Sequence, residues 1–249
     1  MKSYLIKKDQ NGNKIIQKPI NNINNESVSW ESVFPFYNSV TSIGEHGLHS
    51  AFHGCKGLTG PISFPNLTSI GNYGLHSAFH GCKGLTGSIS FPNLTSIGDY
   101  GLHDAFYGCK GLTGSISFPN LTSIGERGLY EAFFGCTGLT SVSFPNLTSI
   151  GDYGLYNAFY GCTGLTSVSF PNLTSIGESG LNSAFQGCTG LTGSISFPNL
   201  TSIGAAGLWD TFYGCTGLKE VHFKSSLSGN PQCTASNMGC SNATIYFDL

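Results

Sequence analysis

The sequence predicts an α/β solenoid of about seven rungs, each 26–27 residues long and carrying one short strand and one short helix, with a cap at either end. Three observations predict it. Phe64, Phe91, Phe118, Phe144, Phe170, Phe197 and Phe223 recur at steps of 27, 27, 26, 26, 27 and 26 residues, the self-similarity of a repeat array. Within each unit the apolar spacing changes from the period of a strand to that of a helix. Finally, one rung cannot bury its own Leu, Ile and Phe side chains, whereas rungs stacked about 4.8 Å apart can, giving a rod of roughly 35–40 Å.

The unit reads FPNLTSIGxxGLxxAFxGCxGLTGSIS. In Gly84–Phe91 the apolar Ile89 and Phe91 alternate with serines, as in a half-buried strand. Pro92 cannot donate to a ladder, so the chain turns there; Leu94 and Ile97 then face inward, and Gly98 marks another turn. From Gly101 onward, Leu102, Ala105, Phe106 and Cys109 fall at i, i+3, i+4 and i+7, the apolar face of a helix of about two turns. Gly108 and Gly111 flank its end, as helix C-termini favour. Rungs containing GLTGSISF are one residue longer than those containing GLTSVSF (Gly138–Phe144), which places a bulge or wider turn just before the strand. The array spans residues 34–222, between an amino-terminal segment (1–33) and a carboxy-terminal cap (223–249) in which Ala243–Leu249 supplies a closing strand.

A repeat of the form AFxGCxxLxxVxxPxxxxxIG, running here from about Ser42 to Phe223, resembles the BspA-like (bacterial surface antigen) class of leucine-rich repeats. The resemblance implies a right-handed, curved leucine-rich-repeat solenoid, often displayed on cells and used for adhesion or for binding host proteins. This chain departs from the short family unit by the extra GLxx before AF, Gly74–Ser77 in the second copy, which should lengthen the helix.

Composition narrows the function. Charged residues make up 10% of the chain and the net charge is −2, so no long-range field gathers nucleic acid or an anionic membrane. No apolar run approaches the roughly 20 residues of a membrane span, so membrane insertion is not expected. The amino terminus, MKSYLIKKDQNGNKIIQKPI, does not read as a secretory signal. The expected location is a cell surface, the extracellular space or a virion.

Seven of the nine cysteines, Cys55, Cys82, Cys109, Cys136, Cys162, Cys188 and Cys215, fall on the repeat. They are expected to pack as small hydrophobes rather than to pair or bind metal, since no CxxC or convergent histidine accompanies them. Cys233 and Cys240 lie seven apart in the cap, where a local disulfide is an alternative in an oxidising compartment. The recurrent NLT at Asn66, Asn93, Asn120, Asn146, Asn172 and Asn199 reads as a post-proline turn before as a glycan acceptor.

Positions that vary between rungs concentrate on one side of the expected helix. They read His46, His49, His53; Tyr73, His76, His80; Tyr100, His103, Tyr107; Arg127, Tyr130, Phe134; Tyr153, Tyr156, Tyr160; Ser179, Asn182, Gln186; and Ala206, Trp209, Tyr213. Stacked, they form an aromatic and histidine stripe with the chemistry of interface hot spots. The candidate partner-binding residues are Tyr73, His76, Tyr100, His103, Tyr107, Arg127, Tyr130, Tyr153, Tyr156, Tyr160, Trp209 and Tyr213; the alternative is that these side chains simply seal one rung against the next. His49/His53 and His76/His80 have chelating spacing but lack a third ligand, so no metal or other cofactor is expected. The acidic residues Asp99, Asp104, Glu126, Glu131 and Asp152 are scattered, mostly where a helix start would favour them. With no nucleophile–base pair and no phosphate loop, the chain is not expected to be an enzyme. It is expected to bind or adhere to a protein or a glycan; the alternative is a structural spacer or a component of a phage tail or cell-envelope assembly.

Overall fold

The computed structural model describes residues 27–249 together with two strands, Ile6–Lys8 and Lys14–Ile16, which pair antiparallel. The rest of the amino-terminal segment lies outside the described residues. The chain coils into a β-solenoid of about eight turns. Each rung contributes two strands to two different parallel ladders. The Ser–Ile pairs, from Ser42–Ile43 to Ser202–Ile203, form one seven-stranded parallel sheet in unbroken order. The longer strands, such as Leu85–Ser90 and Gly138–Ser143, form three-stranded groups on another side.

The additional residue of the long rungs is a glycine in the left-handed region: Gly60, Gly87, Gly114 and Gly193 have φ between 73° and 85°. The ladder slips register beside Gly60 and again after Gly193, the expected bulge. At the carboxy terminus Thr244–Phe247 pairs parallel with Leu218–Phe223 and covers the last rung.

The short helix in each rung is not there. Among the described residues, helical turns occur only at Trp30–Val33, Tyr37–Ser39 and Ser225–Leu227, none of them in the stretch where the repeat was expected to carry its helix. In its place runs a ribbon of consecutive β-turns. In the third rung the N–H groups of Gly101, His103, Ala105, Tyr107 and Cys109 bond to the carbonyl three residues back, at 3.0–3.3 Å. The intervening N–H groups of Tyr100, Leu102, Asp104, Phe106 and Gly108 reach the carbonyls of Glu126, Gly128, Tyr130, Ala132 and Phe134 in the next rung, at 2.8–2.9 Å. Every second turn holds a left-handed residue at its third position, Tyr100, Asp104 and then Gly108, with φ of 55°, 55° and 68°, as a type II turn requires. An α-helix would use its N–H groups internally; the ribbon spends half of them on the neighbouring rung. The acidic residues therefore meet no helix dipole. Asp99 and Asp152 instead accept the backbone N–H of Glu126 and Glu178 one rung on, at 2.9 and 2.7 Å.

The interior is two ladders of parallel phenylalanine rings. One runs Phe52, Phe79, Phe106, Phe133, Phe159, Phe185 and Phe212, with centroids 5.1–5.9 Å apart. The other runs from Phe64 to Phe223 and ends on Phe247. Trp30 caps the first at its amino-terminal end, edge-on to Phe52 and Phe79. The repeat cysteines are buried and unbridged, as are Cys233 and Cys240. They are more than spacers: each thiol from Cys82 to Cys215 donates to the Phe carbonyl of the preceding rung at 3.0–3.2 Å. Burial raises their pKa values, to about 12 for Cys109 and Cys162. The sequon asparagines use their amide nitrogens inside the fold, as Asn93 does toward Pro65 O at 2.7 Å, in keeping with the turn reading.

Candidate functional site

The ribbon presents the variable residues in three columns, one residue per rung in each. The first holds His46, Tyr73, Tyr100, Arg127 and Tyr153, then Ser179 and Ala206; all seven sit at positive φ, from 50° to 55°. The left-handed backbone swings these side chains to the outside of the turn. The second column stacks His49, His76, His103, Tyr130 and Tyr156 at centroid spacings of 4.6–4.8 Å. The third stacks His53, His80, Tyr107, Phe134 and Tyr160 at the same spacing, with ring planes within 8° of parallel. Offset stacking at this separation is favourable for aromatic pairs, and here the rung spacing of the backbone imposes it.

The two readings of the stripe turn out to be compatible. Faces of the rings seal one rung against the next, while their edges stay in solvent, so Tyr73, His76, Tyr100, His103, Tyr107, Arg127, Tyr130, Tyr153, Tyr156 and Tyr160 are all half-buried. Trp209 and Tyr213 stand apart from the others. The sixth rung places Asn182 and Gln186 where rings would be, and beyond it Trp209 and Tyr213 are 52% and 55% exposed.

At the centre of the stripe the ring sequence is broken by a cation. The Arg127 guanidinium lies between the Tyr100 and Tyr153 rings, 5.4 and 5.0 Å from their centroids, and donates to the Tyr100 hydroxyl. Tyr153 in turn donates to Glu178 at 3.1 Å. A shallow recess opens here, lined by His103, Arg127, Tyr130, Tyr153 and Tyr156. Beneath it His103 Nδ1 lies 3.3 Å from a carboxylate oxygen of Asp104, while the other oxygen, Oδ1, is buried without a hydrogen-bond partner. Sequence reasoning read Asp104 as a helix-start acid; its position four residues after Tyr100, on the next left-handed residue of the ribbon, carries the signal only once the ribbon is known. Among the described residues no group of three His, Cys, Asp or Glu side chains could hold a metal ion.

The histidine stack has an electrostatic consequence. Burial, then the neighbouring His103 and His49, lower the pKa of His76 to about 4; burial likewise lowers His49 and His80. Above pH 6.5 both folded and unfolded chains are neutral at these sites. Below it the unfolded chain takes up protons that the folded one refuses, so stability falls as pH drops from about 6.5 to 4. Allowing for the solvent-facing ring edge, His76 should account for about 1–2 kcal/mol of that loss. The expected result is that His76→Tyr, the residue this column carries at Tyr130 and Tyr156, flattens the midpoint-versus-pH curve between pH 7 and 4. His222, raised by its bond to Asp248, acts in the opposite sense and is untouched by that variant.

The repeat is that of a known sequence family. A profile described as the BspA type leucine rich repeat region matches in six copies, over residues 21–130, 48–179, 102–229 and 181–247. The chain belongs to the BspA-type leucine-rich repeat family. No curated protein matches the sequence. Among solved structures, a leucine-rich repeat protein of T. pallidum aligns over 86% of this BspA-type chain and 87% of its own, at 25% identity and a TM-score of 0.56. A leucine-rich cell surface protein of Faecalibacterium prausnitzii A2-165 covers 99% of this chain and 94% of its own, at 17% identity and a TM-score of 0.35. For a leucine-rich repeat protein of Bacteroides ovatus ATCC 8483 the figures are 99%, 98%, 18% and 0.26.

Proposed function

We propose that this BspA-type solenoid is a non-catalytic recognition element that binds a protein or glycan through the ring columns of its turn ribbon, displayed at a cell surface as the family resemblance implies. The observation that carries the reading is the recess around Arg127: a guanidinium held between two tyrosines, with His103, Tyr130 and Tyr156 at its margins. Pre-stacked rings and a clamped arginine lose little side-chain freedom on binding, and these residue types dominate interface energetics. A fold sealed only for stability would have no use for ring edges left in water along five consecutive rungs.

The test replaces Arg127→Ser with Tyr153→Ser. The fold already carries serine in this column at Ser179, with the same positive φ, so the thermal midpoint should move by only a few degrees. Binding to the best ligand from a glycan array and a panel of extracellular-matrix proteins should fall at least tenfold, as removal of hot-spot residues does. Undiminished binding would remove the recess from the interface.

A further inference from the structure

The second and third columns are interrupted once, and the interruption is a slot of defined width. From the first to the fifth rung each column supplies a ring or the Arg127 guanidinium at every step of 4.6–4.9 Å or close to it. At the sixth rung the side chains are Ser179, Asn182 and Gln186, and at the seventh the rings resume with Trp209 and Tyr213. Two rung steps therefore separate Tyr156 from Trp209, and Tyr160 from Tyr213, about 9.5 Å at the solenoid spacing. Asparagine is shorter than the ring it replaces and a glutamine amide is slimmer, so these two half-buried side chains fill less of the level than the rings on either side. Trp209 and Tyr213, the far wall of this level, are 52% and 55% exposed.

We propose that this slot holds one neutral pyranose ring of a glycan, taking the place of the absent ring in the ladder. This deepens the recognition reading above and rests on it. A ring seated midway lies about 4.7 Å from each wall, the spacing the columns themselves adopt, and an aromatic face on either side suits the C–H faces of a sugar. The floor decides between a sugar and an aromatic side chain of a protein. Asn182 accepts from Ser183 Oγ at 2.9 Å through its amide oxygen, which leaves its NH2 group to donate elsewhere, and among the described residues the Gln186 amide has no hydrogen-bond partner. Free amides meet the rim of hydroxyls on a pyranose; an apolar ring would leave them unpaired at a cost. Among the described residues no cation belongs to this level or to the next rung's ribbon, and Glu178 and Asp210 stand in the adjacent turns, so an anionic sugar is disfavoured.

The experiment reads Trp209 directly, because the only other tryptophan, Trp30, is fully buried. The purified chain is titrated with soluble neutral oligosaccharides of glucose, galactose, mannose and N-acetylhexosamine while tryptophan emission is followed. A saturable change in emission with one of them is expected. In Asn182→Tyr with Gln186→Tyr, which continues the ring columns through the gap and should keep or raise the thermal midpoint, the affinity should fall at least tenfold. Equal affinity in the filled variant overturns the slot. So does an absence of response to every oligosaccharide in a chain that still binds its array or matrix ligand through the Arg127 recess, and that result leaves the broader reading standing. Loss of both activities in the wild type would overturn the two together.

Discussion

Phe133→Ala is expected to lower stability by about 4 kcal/mol, the range for removing a fully buried phenylalanine. Phe133 is wholly inaccessible and sits between Phe106 and Phe159, 5.4 and 5.2 Å away with planes within 10° of parallel. Neither neighbour can collapse into the gap, because the backbone hydrogen bonds from Phe106 N to Ala132 O and from Phe133 N to Ala158 O hold the rungs at their spacing. In a quasi-one-dimensional fold the position of the gap matters as much as its size. A break at the fourth rung weakens the coupling between two halves that each keep about three intact interfaces. Denaturant unfolding should therefore broaden or split into two transitions. The same substitution at Phe212, beside the carboxy-terminal cap, should instead shorten the cooperative unit from one end. A single sharp transition with an unchanged midpoint in Phe133→Ala would show that the ring ladder does not transmit cooperativity.

Gly111→Ala is expected to be comparably damaging, although it adds only one methyl group. A Cβ at Gly111 would lie 2.3 Å from the Leu85 carbonyl oxygen of the preceding rung, and a backbone oxygen cannot move without opening the inter-rung ladder. The same approach recurs at Gly84, Gly138, Gly164, Gly190 and Gly217, at 2.3–2.6 Å. A loss of about 3–5 kcal/mol is expected, comparable with severe overpacking. Gly108→Ala is the internal control. Its φ is 68°, but a Cβ there would meet nothing within 4 Å, so only the left-handed backbone penalty of about 1 kcal/mol applies. Midpoints of the two variants in guanidinium chloride should differ several-fold in their displacement from wild type. If they shift alike, rung contact is not what holds Gly111.

Much of this architecture is legible in the residues themselves. The 26- or 27-residue step, the inward Leu, Ile and Phe, the closing strand before Leu249 and the bulge at the additional glycine all follow from spacing and turn chemistry. The helix was misread for a definite reason. Leu102, Ala105, Phe106 and Cys109 fit one face of a 3.6-residue period, but they fit equally well a ribbon in which two turns recur every four residues. Over eight residues the two periods have not yet separated. What distinguishes them is the hydrogen-bonding partner of every second N–H, which belongs to the next rung and leaves no trace in local sequence. The stripe was visible as a set of variable aromatic positions, whereas its face-to-face stacking, the clamped Arg127 and the gap at Asn182 and Gln186 appear only when rungs are laid on one another. The thiol-to-carbonyl bonds were hidden for the same reason: Cys109 and its acceptor, Phe79, are 30 residues apart.

The backbone bonds between rungs all lie along the long direction of the solenoid, with those of the turn ribbon pointing one way and those of the Thr–Ser–Ile strands, such as Thr95 N to Thr68 O at 2.8 Å, pointing the other. A tether attached at the two ends of the chain would load them one rung at a time. Under tension the molecule would yield as a zipper, each released coil paying out some 26 residues and lengthening the tether by about 90 Å. A sideways pull on the ring columns would be shared by many bonds at once. Such a body is compliant when stretched and stiff when sheared.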